Sequence, residues 1–373
     1  MANVFLRSPY YITSQNSGSS QGWGIITITV TGVVRYTIKK STDTAGRVLF
    51  EISELMRDYL NPVLVRDNGG YGVFSHSIAY NTSIQHYQST GTAIGSPVTQ
   101  SGIIMDGYGY FQDGSNPSTT RGYMQSNDVI YRLEDTAVIV PVDINNTEDI
   151  IFLKDNEIVS TVNYTGTTAM ALNYARTDNS NYGRGSFENR VYLQNGIIED
   201  NDCLTEFLDE YELFDIDEVR IETTDGLKII PVITLSECRY PPVKVMFFNR
   251  YGAQQEVWFF RKSVQSLSAS REEFKRSIVN SVGVYDVLEH PRSNFNVGSK
   301  RKITINTGYV DESYNSVVQE IIQSEKVWIE QDTVISPMIV STNSMTFKTS
   351  VNDKLVDYSL DLDFAYDEIQ NIR

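Results

Sequence analysis

Along most of the chain, apolar and polar residues alternate with the period of two that marks half-buried strands, and only a few stretches switch to a helical spacing. In Trp23–Lys40, Ile26, Ile28 and Val30 alternate with Thr27, Thr29 and Thr31, and Gly32 interrupts the run. This is the pattern of two β-branched strands joined by a turn. "FEISELMRDYLNP" then places Ile52, Leu55, Met56, Tyr59 and Leu60 at helical spacing, with Pro62 as the stop. Strand patterns return at Asp128–Asp143 and Asp149–Tyr164, the second a hairpin turning at Lys154-Asp155-Asn156. Two more hairpins are expected: Glu218–Leu235, turning at Asp225-Gly226, and Val243–Phe260, turning near Asn249–Gly252. Cys203–Leu213 spaces Leu204, Phe207, Leu208 and Tyr211 for a second short helix. Arg261–Pro291 is ambiguous, since the charges of Arg271–Lys275 suit a helix whereas its Ser, Val and Tyr suit strand.

The clearest helix lies near the C-terminus. Tyr314, Val317, Val318, Ile321 and Ile322 recur at i, i+3, i+4, i+7 and i+8 and make one apolar stripe. Asp311 is the expected N-cap, and Glu312 suits the positive end of the helix dipole. A strand at Lys302–Gly308 precedes the helix. Three are expected after it, at Val327–Val340, Met345–Asn352 and Leu355–Tyr366. In the last, Leu360, Leu362 and Phe364 alternate with Ser359, Asp361 and Asp363, which means one buried face and one wet face. The helix reads as the plug of this module, covering one face of its sheet and leaving Trp328 at the rim.

Together these patterns predict a mainly β, multidomain fold of sandwich-like or barrel-like modules with a few short helices, the C-terminal module a strand–helix–three-strand unit. The expected divisions are 1–143, 144–299 and 300–373, since 373 residues exceed what one core usually serves.

Between Val63 and Asn127 the composition shifts to Gly, Ser, Thr and Tyr. Sixty-five residues are too many for an unstructured connection. The segment reads as an exposed excursion of short strands and loops, and its Tyr71, Tyr80, Tyr87, Tyr108, Tyr110 and Tyr123 as a candidate interaction surface. Tyr offers large contact area with little rotamer entropy to lose, which suits sugar or protein recognition. The alternative is that Tyr is simply common in strands.

Charge and chemistry remove several function classes. A formal charge of −16 opposes a role built on neutralising phosphates, and "GSKRK" at Gly298–Lys302 is a short basic run. Two cysteines, Cys203 and Cys238, stand 35 positions apart with no CxxC pair, and three histidines are scattered, so no zinc set is visible. The thiols read as free and buried, a disulfide being the alternative. Acidic pairs such as Glu199-Asp200 and Asp361 with Asp363 read as solvated surface among 47 acidic residues. "GYGYFQDG" lacks the Lys-Ser/Thr tail of a phosphate loop, and no G-x-S-x-G elbow accompanies His76, His86 or His290. His76 and His86 are expected to be exposed. No signal-peptide or membrane-spanning run is present, so a soluble, cytoplasmically made protein with no cofactor and no membrane insertion is expected.

The phrases "VKVMFFNRYGAQQEVWFFRKSVQSLSASREEFK", "ITINTGYVDESYNSVVQEIIQSEKVWIE" and "TFKTSVNDKLVDYSLDLDFAYDEIQNIR" resemble structural proteins of tailed bacteriophages that infect Bacteroidetes. "SPYYI", "VRYTIKKS", "FEISELMRDYLNP", "DGYGYFQDG" and "IYRLEDTAVIVP" are similar to the same proteins. The resemblance touches most of the chain and is weakest at 63–103 and 166–189. It implies a virion component of the tail, baseplate or neck, neither an enzyme nor a protein with catalytic residues. The implied partners are other virion proteins, including further copies in a ring, with no nucleic acid. Two alternatives stay open: an adhesin that binds host-surface glycan through the Tyr-rich segment, and a tail enzyme that degrades polysaccharide.

Overall fold

The computed structural model describes residues 2–16, 22–64, 76–119, 121–134, 136, 138–143, 145–163, 172–176, 181–182, 215–236, 239–332, 334–348 and 355–369. The fold is mainly β, with several sheets and two short α-helices among these residues. Two compact units divide the chain: Met1–Ser236 with Phe248–Glu256, and Glu237–Phe247 with Val257–Arg373.

The first unit opens with β1 (Ala2–Phe5), β2 (Tyr11–Gln15), β3 (Gly22–Val30), β4 (Val33–Ser41), β5 (Arg47–Glu51), α1 (Ser53–Arg57), β6 (Ser77–Gln88) and β7 (Ala93–Met105). Five of these strands form one sheet in the order β1-β7-β6-β3-β4, and β2 pairs with β5 beside it. Alternation in β3 does what its sequence demands: Ile26, Ile28 and Val30 are buried, and Thr31 and Gly32 turn the chain with positive φ. These residues pack with Ile12, Phe50, Ile52, Met56, Ile84 and Ile104, so α1 closes the core of this sheet.

The expected Tyr-rich excursion is corrected here. Much of it is β6 and β7, strands of 12 and 13 residues that lie inside the sheet. The buried face of β6 is Tyr80, Thr82, Ile84 and His86, with period two intact. Two of those four positions are polar, so the alternation is real but weak in hydrophobicity. His86 is tied across to β2 by a 2.8 Å hydrogen bond between Nε2 and Ser14 Oγ, while its Nδ1 is buried without a partner.

The same unit continues with β8 (Ile130–Leu133), β9 (Ile139–Asp143), β10 (Thr147–Lys154), β11 (Glu157–Asn163), β12 (Leu172–Arg176), β13 (Asn181–Tyr182), β14 (Glu218–Thr223) and β15 (Gly226–Leu235). One sheet runs β11-β10-β14-β15-β8 and another β13-β12-β9. The hairpin turns fall where the sequence puts them, at Asp155-Asn156 (φ 49° and 64°) and at Gly226 (φ 124°). Val140, Val142, Ile150, Phe152, Val219, Ile221 and Ile230 form the core. The helix expected at Cys203–Leu213, both cysteines and the 183–214 region lie outside the described residues.

The second unit is built on one seven-stranded sheet, from β16 (Val243–Phe248), β17 (Gln254–Phe259), β18 (Val264–Lys275), β19 (Arg292–Asn306), β20 (Val310–Asp311), α2 (Tyr314–Gln323), β21 (Val327–Gln331), β22 (Val334–Val340), β23 (Leu355–Val356) and β24 (Ser359–Phe364). The sheet order is β17-β16-β21-β22-β24-β19-β18, and β20 pairs with β23. It therefore runs across the expected division at 299–300. Residues 327–340 are not one strand but the β21–β22 hairpin, turned at Asp332 (φ 49°), and 345–348 are irregular rather than strand.

The helical stripe does what its spacing implies. Tyr314, Val317, Val318 and Ile321 are buried, and Ile322 is half-buried. Ser313, not Asp311, occupies the N-cap, and Asp311 Oδ1 instead accepts the Ser313 N–H at 2.8 Å. Asn315 fixes the helix to the following loop: its Nδ2 donates to Lys348 O (2.8 Å), and its Oδ1 accepts from Lys348 N (3.1 Å) and from the Tyr358 hydroxyl. On β24, Leu360, Leu362 and Phe364 are buried as their alternation requires. Asp361 faces outward, where the Thr304 hydroxyl and Lys302 lower its pKa below the usual carboxylate range.

Candidate interaction surfaces

The six tyrosines do not form one surface. Tyr80 and Tyr123 are core residues, 3% and 2% exposed. Burial pushes the Tyr80 phenol pKa well above its ordinary value. Tyr123 donates to Gln125 Oε1 (2.8 Å) inside a buried polar network. Tyr87 is half-buried and stacks on Trp23, with centroids 6.0 Å apart and planes at 17°, while Lys39 Nζ stands 3.7 Å over the Trp23 ring. Tyr71 lies outside the described residues. His76 and His86, expected to be exposed, are 1% and 6% exposed. His76 Nε2 is 2.7 Å from Val63 O, and the ring meets Phe248 edge-on at 5.2 Å. Desolvation lowers the His86 pKa, because the charged imidazolium loses water there.

Tyr108 and Tyr110 belong to an alternating row of rings and guanidinium groups. Arg7 Cζ lies 4.8 Å from the Tyr108 ring centre, and Tyr108 meets Tyr110 edge-on at 5.7 Å. Arg250 Cζ stands 4.7 Å from Tyr110 and 5.3 Å from Tyr251, and Arg121 Cζ 5.5 Å from Tyr251. Hydrogen bonds fix the row: Arg121 Nη1 donates to Tyr251 Oη (2.6 Å), and Arg250 Nη2 to Asp113 Oδ2 (2.8 Å). The same Asp113 oxygen accepts the Tyr110 N–H at 2.7 Å. Phe111, in the 3-10 turn Phe111–Asp113, is fully exposed at the end of this cluster.

Backbone contacts make this row rigid. Gly252 sits at φ +76°, and a Cβ there would come within 2.8 Å of Asp106 backbone atoms, so only glycine lets the two segments approach. Asn249, fully buried, organises the turn. Its Nδ2 donates to Met124 O (2.6 Å) and Gln255 Oε1 (3.1 Å), and its Oδ1 accepts from the Tyr251 and Ala253 N–H groups. Gln255 Nε2 extends the network to Asn127 Oδ1 at 3.0 Å. A buried polar network satisfied this fully specifies one docking geometry.

No family model and no curated protein matches the chain. A solved structure of a bacterial ice-binding adhesin, studied for its retention at the host cell surface, is similar at 6% identity over 82% of this chain and 91% of that one. Its TM-score of 0.17 gives that likeness no weight in the argument.

The second surface is in the other unit and was not read from the sequence. β18 and β19 pair antiparallel from Val264–Thr304 out to Lys275–Arg292, and Arg276 N donates to Pro291 O beyond them. β24 pairs only with Lys302–Asn306 of β19, so beyond those residues the ladder is two strands wide. Every residue of β18 is exposed. Phe274 and Phe295 meet edge-on at 5.6 Å on one face of the ribbon and remain 45% exposed each. At its end, Asn280 Oδ1 accepts the Val282 and Val284 N–H groups and Asp286 Oδ1 the Leu288 N–H. Those turns hold Val282, Val287 and Leu288 more than 80% exposed. Covering each such aliphatic side chain is worth about 1.5–3 kcal/mol. The signal was present in "SVGVYDVLEHP", where bulky aliphatics follow no core period.

A cleft of about 210 Å³ lies among Val318, Thr342, Met345, Tyr358 and Leu360, below the usual size of a small-molecule site. Among the described residues no cluster of three or more His, Cys, Asp or Glu could hold a metal ion, and no helix is long and apolar enough to cross a membrane.

Proposed function

We propose that this chain is a structural subunit of a tailed-phage virion, of the tail, baseplate or neck, which assembles with further copies and with neighbouring virion proteins through its β-units. The observation that carries the assembly part is the β18–β19 arm: an ordered ribbon whose apolar side chains find no cover within the described residues. A free two-stranded hairpin is marginal in water, so a chain that keeps one gains from a neighbour that covers it. The placement in a phage particle rests on the sequence resemblance.

The adhesin reading needs open aromatic faces, and the five described tyrosines assigned to it are buried or already stacked against rings and guanidinium groups. Assembly is therefore the preferred function. Peptide mass spectrometry of purified particles tests it. The chain is expected at a stoichiometry of many copies per particle, and its absence from particles would overturn the proposal.

A further inference from the structure

We infer that the β18–β19 arm of one copy docks on the outer face of the β10–β14–β15 sheet of a second copy, giving a head-to-tail contact. This rests on the assembly reading above and names the partner and the surfaces.

Charge points to a second copy as the occupant. Along the two-strand part of the arm, Leu267 to Arg301, the chain carries six basic and four acidic side chains, a local +2. The whole chain is −16, so everything outside this segment sums to −18. A basic arm on an otherwise strongly acidic chain is repelled least, and steered most, by the acidic remainder of another copy. Lys275, Arg276 and Arg292 stand just below the apolar end of the ribbon, Arg276 sharing its charge with Glu289 of the same arm (3.6 Å), and Lys275 and Arg292 would flank that contact.

The receiving face is chosen by the same two properties. Leu227, Ile229 and Ile233 alternate along β15 and are 55%, 49% and 40% exposed, an apolar strip on the side away from the core residues Ile230 and Val232. Cross-strand register sets Glu222 opposite Leu227 and Glu218 opposite Pro231, so carboxylates line the strip along β14. Arg220 between them is paired with Glu218 at 2.5 Å, which leaves Glu222 as the acidic neighbour outside that pair. Arm and face are thus different patches on one chain, each half of a heterologous contact, and such contacts close into rings or run into filaments.

Sedimentation velocity of the full chain across a concentration series tests this with three variants. Val287→Asp with Leu288→Asp changes side chains that are 83% and 81% exposed. Lys275→Glu with Arg292→Glu reverses the arm's flanks, and Glu222→Lys reverses the face. The wild type is expected to self-associate, and each of the three to weaken association by about tenfold or more in Kd. Combining Glu222→Lys with the reversed arm is expected to regain part of the loss, an outcome that misfolding cannot produce. A wild type that stays monomeric throughout overturns the inference, because the arm's partner is then another protein. Oligomers that persist unchanged in Val287→Asp with Leu288→Asp overturn it too. Either result leaves the virion role standing, since that is decided by the particle composition alone.

Discussion

Two long hairpins in this chain have nearly the same length and opposite fates. β6 and β7 are 12 and 13 residues, β18 and β19 are 12 and 15. The first pair lies inside a sheet, flanked by β3 and β1, and gives Tyr80, Ile84 and Ile104 to a core. The second leaves its sheet at an edge and exposes every residue of β18. Strand pairing is common to both; what differs is whether a second layer covers a face. The covered hairpin is scaffold, whereas the β18–β19 hairpin keeps apolar side chains in solvent among the described residues.

That contrast is broken most directly by placing a charge in each hairpin. Ile84→Asp puts an unpaired carboxylate among fully buried aliphatics and is expected to cost more than about 4 kcal/mol, enough to unfold the first unit. Val287→Asp, at a position 83% exposed, is expected to change monomer stability by less than about 0.5 kcal/mol. Urea denaturation of both variants reads the difference, and comparable losses would erase the distinction between scaffold and arm.

The α2 stripe belongs on the covered side of that contrast. Val318→Asp with Ile321→Asp buries two unpartnered charges and is expected to abolish folding of the second unit, visible as lost protection of β21 and β24 in hydrogen exchange. Normal protection would make the helix a surface feature. A smaller effect is expected at Asn249. Asn249→Ala strips partners from the Tyr251 and Ala253 N–H groups and from Gln255 and should cost about 1–3 kcal/mol. Faster exchange is expected to be confined to the 249–255 turn and the segments it holds.

The smallest effect is a pH dependence in β6. Burial holds the His86 pKa below its ordinary value near 6.5, so the unfolded chain takes up a proton that the folded chain resists. His86 therefore contributes full stability above that ordinary value, and the contribution is lost as pH falls through the folded-state value. His86→Gln is expected to remove that part of the slope of stability against pH below about 6.5. A slope identical to wild type would mean that the ring is solvated and β6 less covered than described.

Where apolar periodicity was strong, the sequence announced the fold. The β3 alternation, the turns at Asp155-Asn156, Gly226 and Gly252, and the α2 stripe all lie where their residues put them. It failed at β6 because Thr82 and His86 hold buried positions there through hydrogen bonds rather than through apolarity. It failed at the tyrosines for a related reason: composition cannot say whether a phenol is buried, as in Tyr80, or stacked under a guanidinium, as in Tyr110. Arg7, Arg121 and Arg250 are far apart in sequence and meet only through the fold, so the row they build carried no local signature. The arm was ambiguous for a physical reason as well. With neither face buried, its residues were free of the two-residue rule that makes strands legible.

The central claim is that the chain is a virion subunit whose uncovered arm meets another copy. A cryo-EM map of the intact particle tests it most directly, at a resolution that traces strands. The account predicts multiple symmetry-related copies, with Val282–Leu288 of each pressed on the β14–β15 face of the next. Copies whose arms project into solvent, or no density for the chain at all, would contradict it.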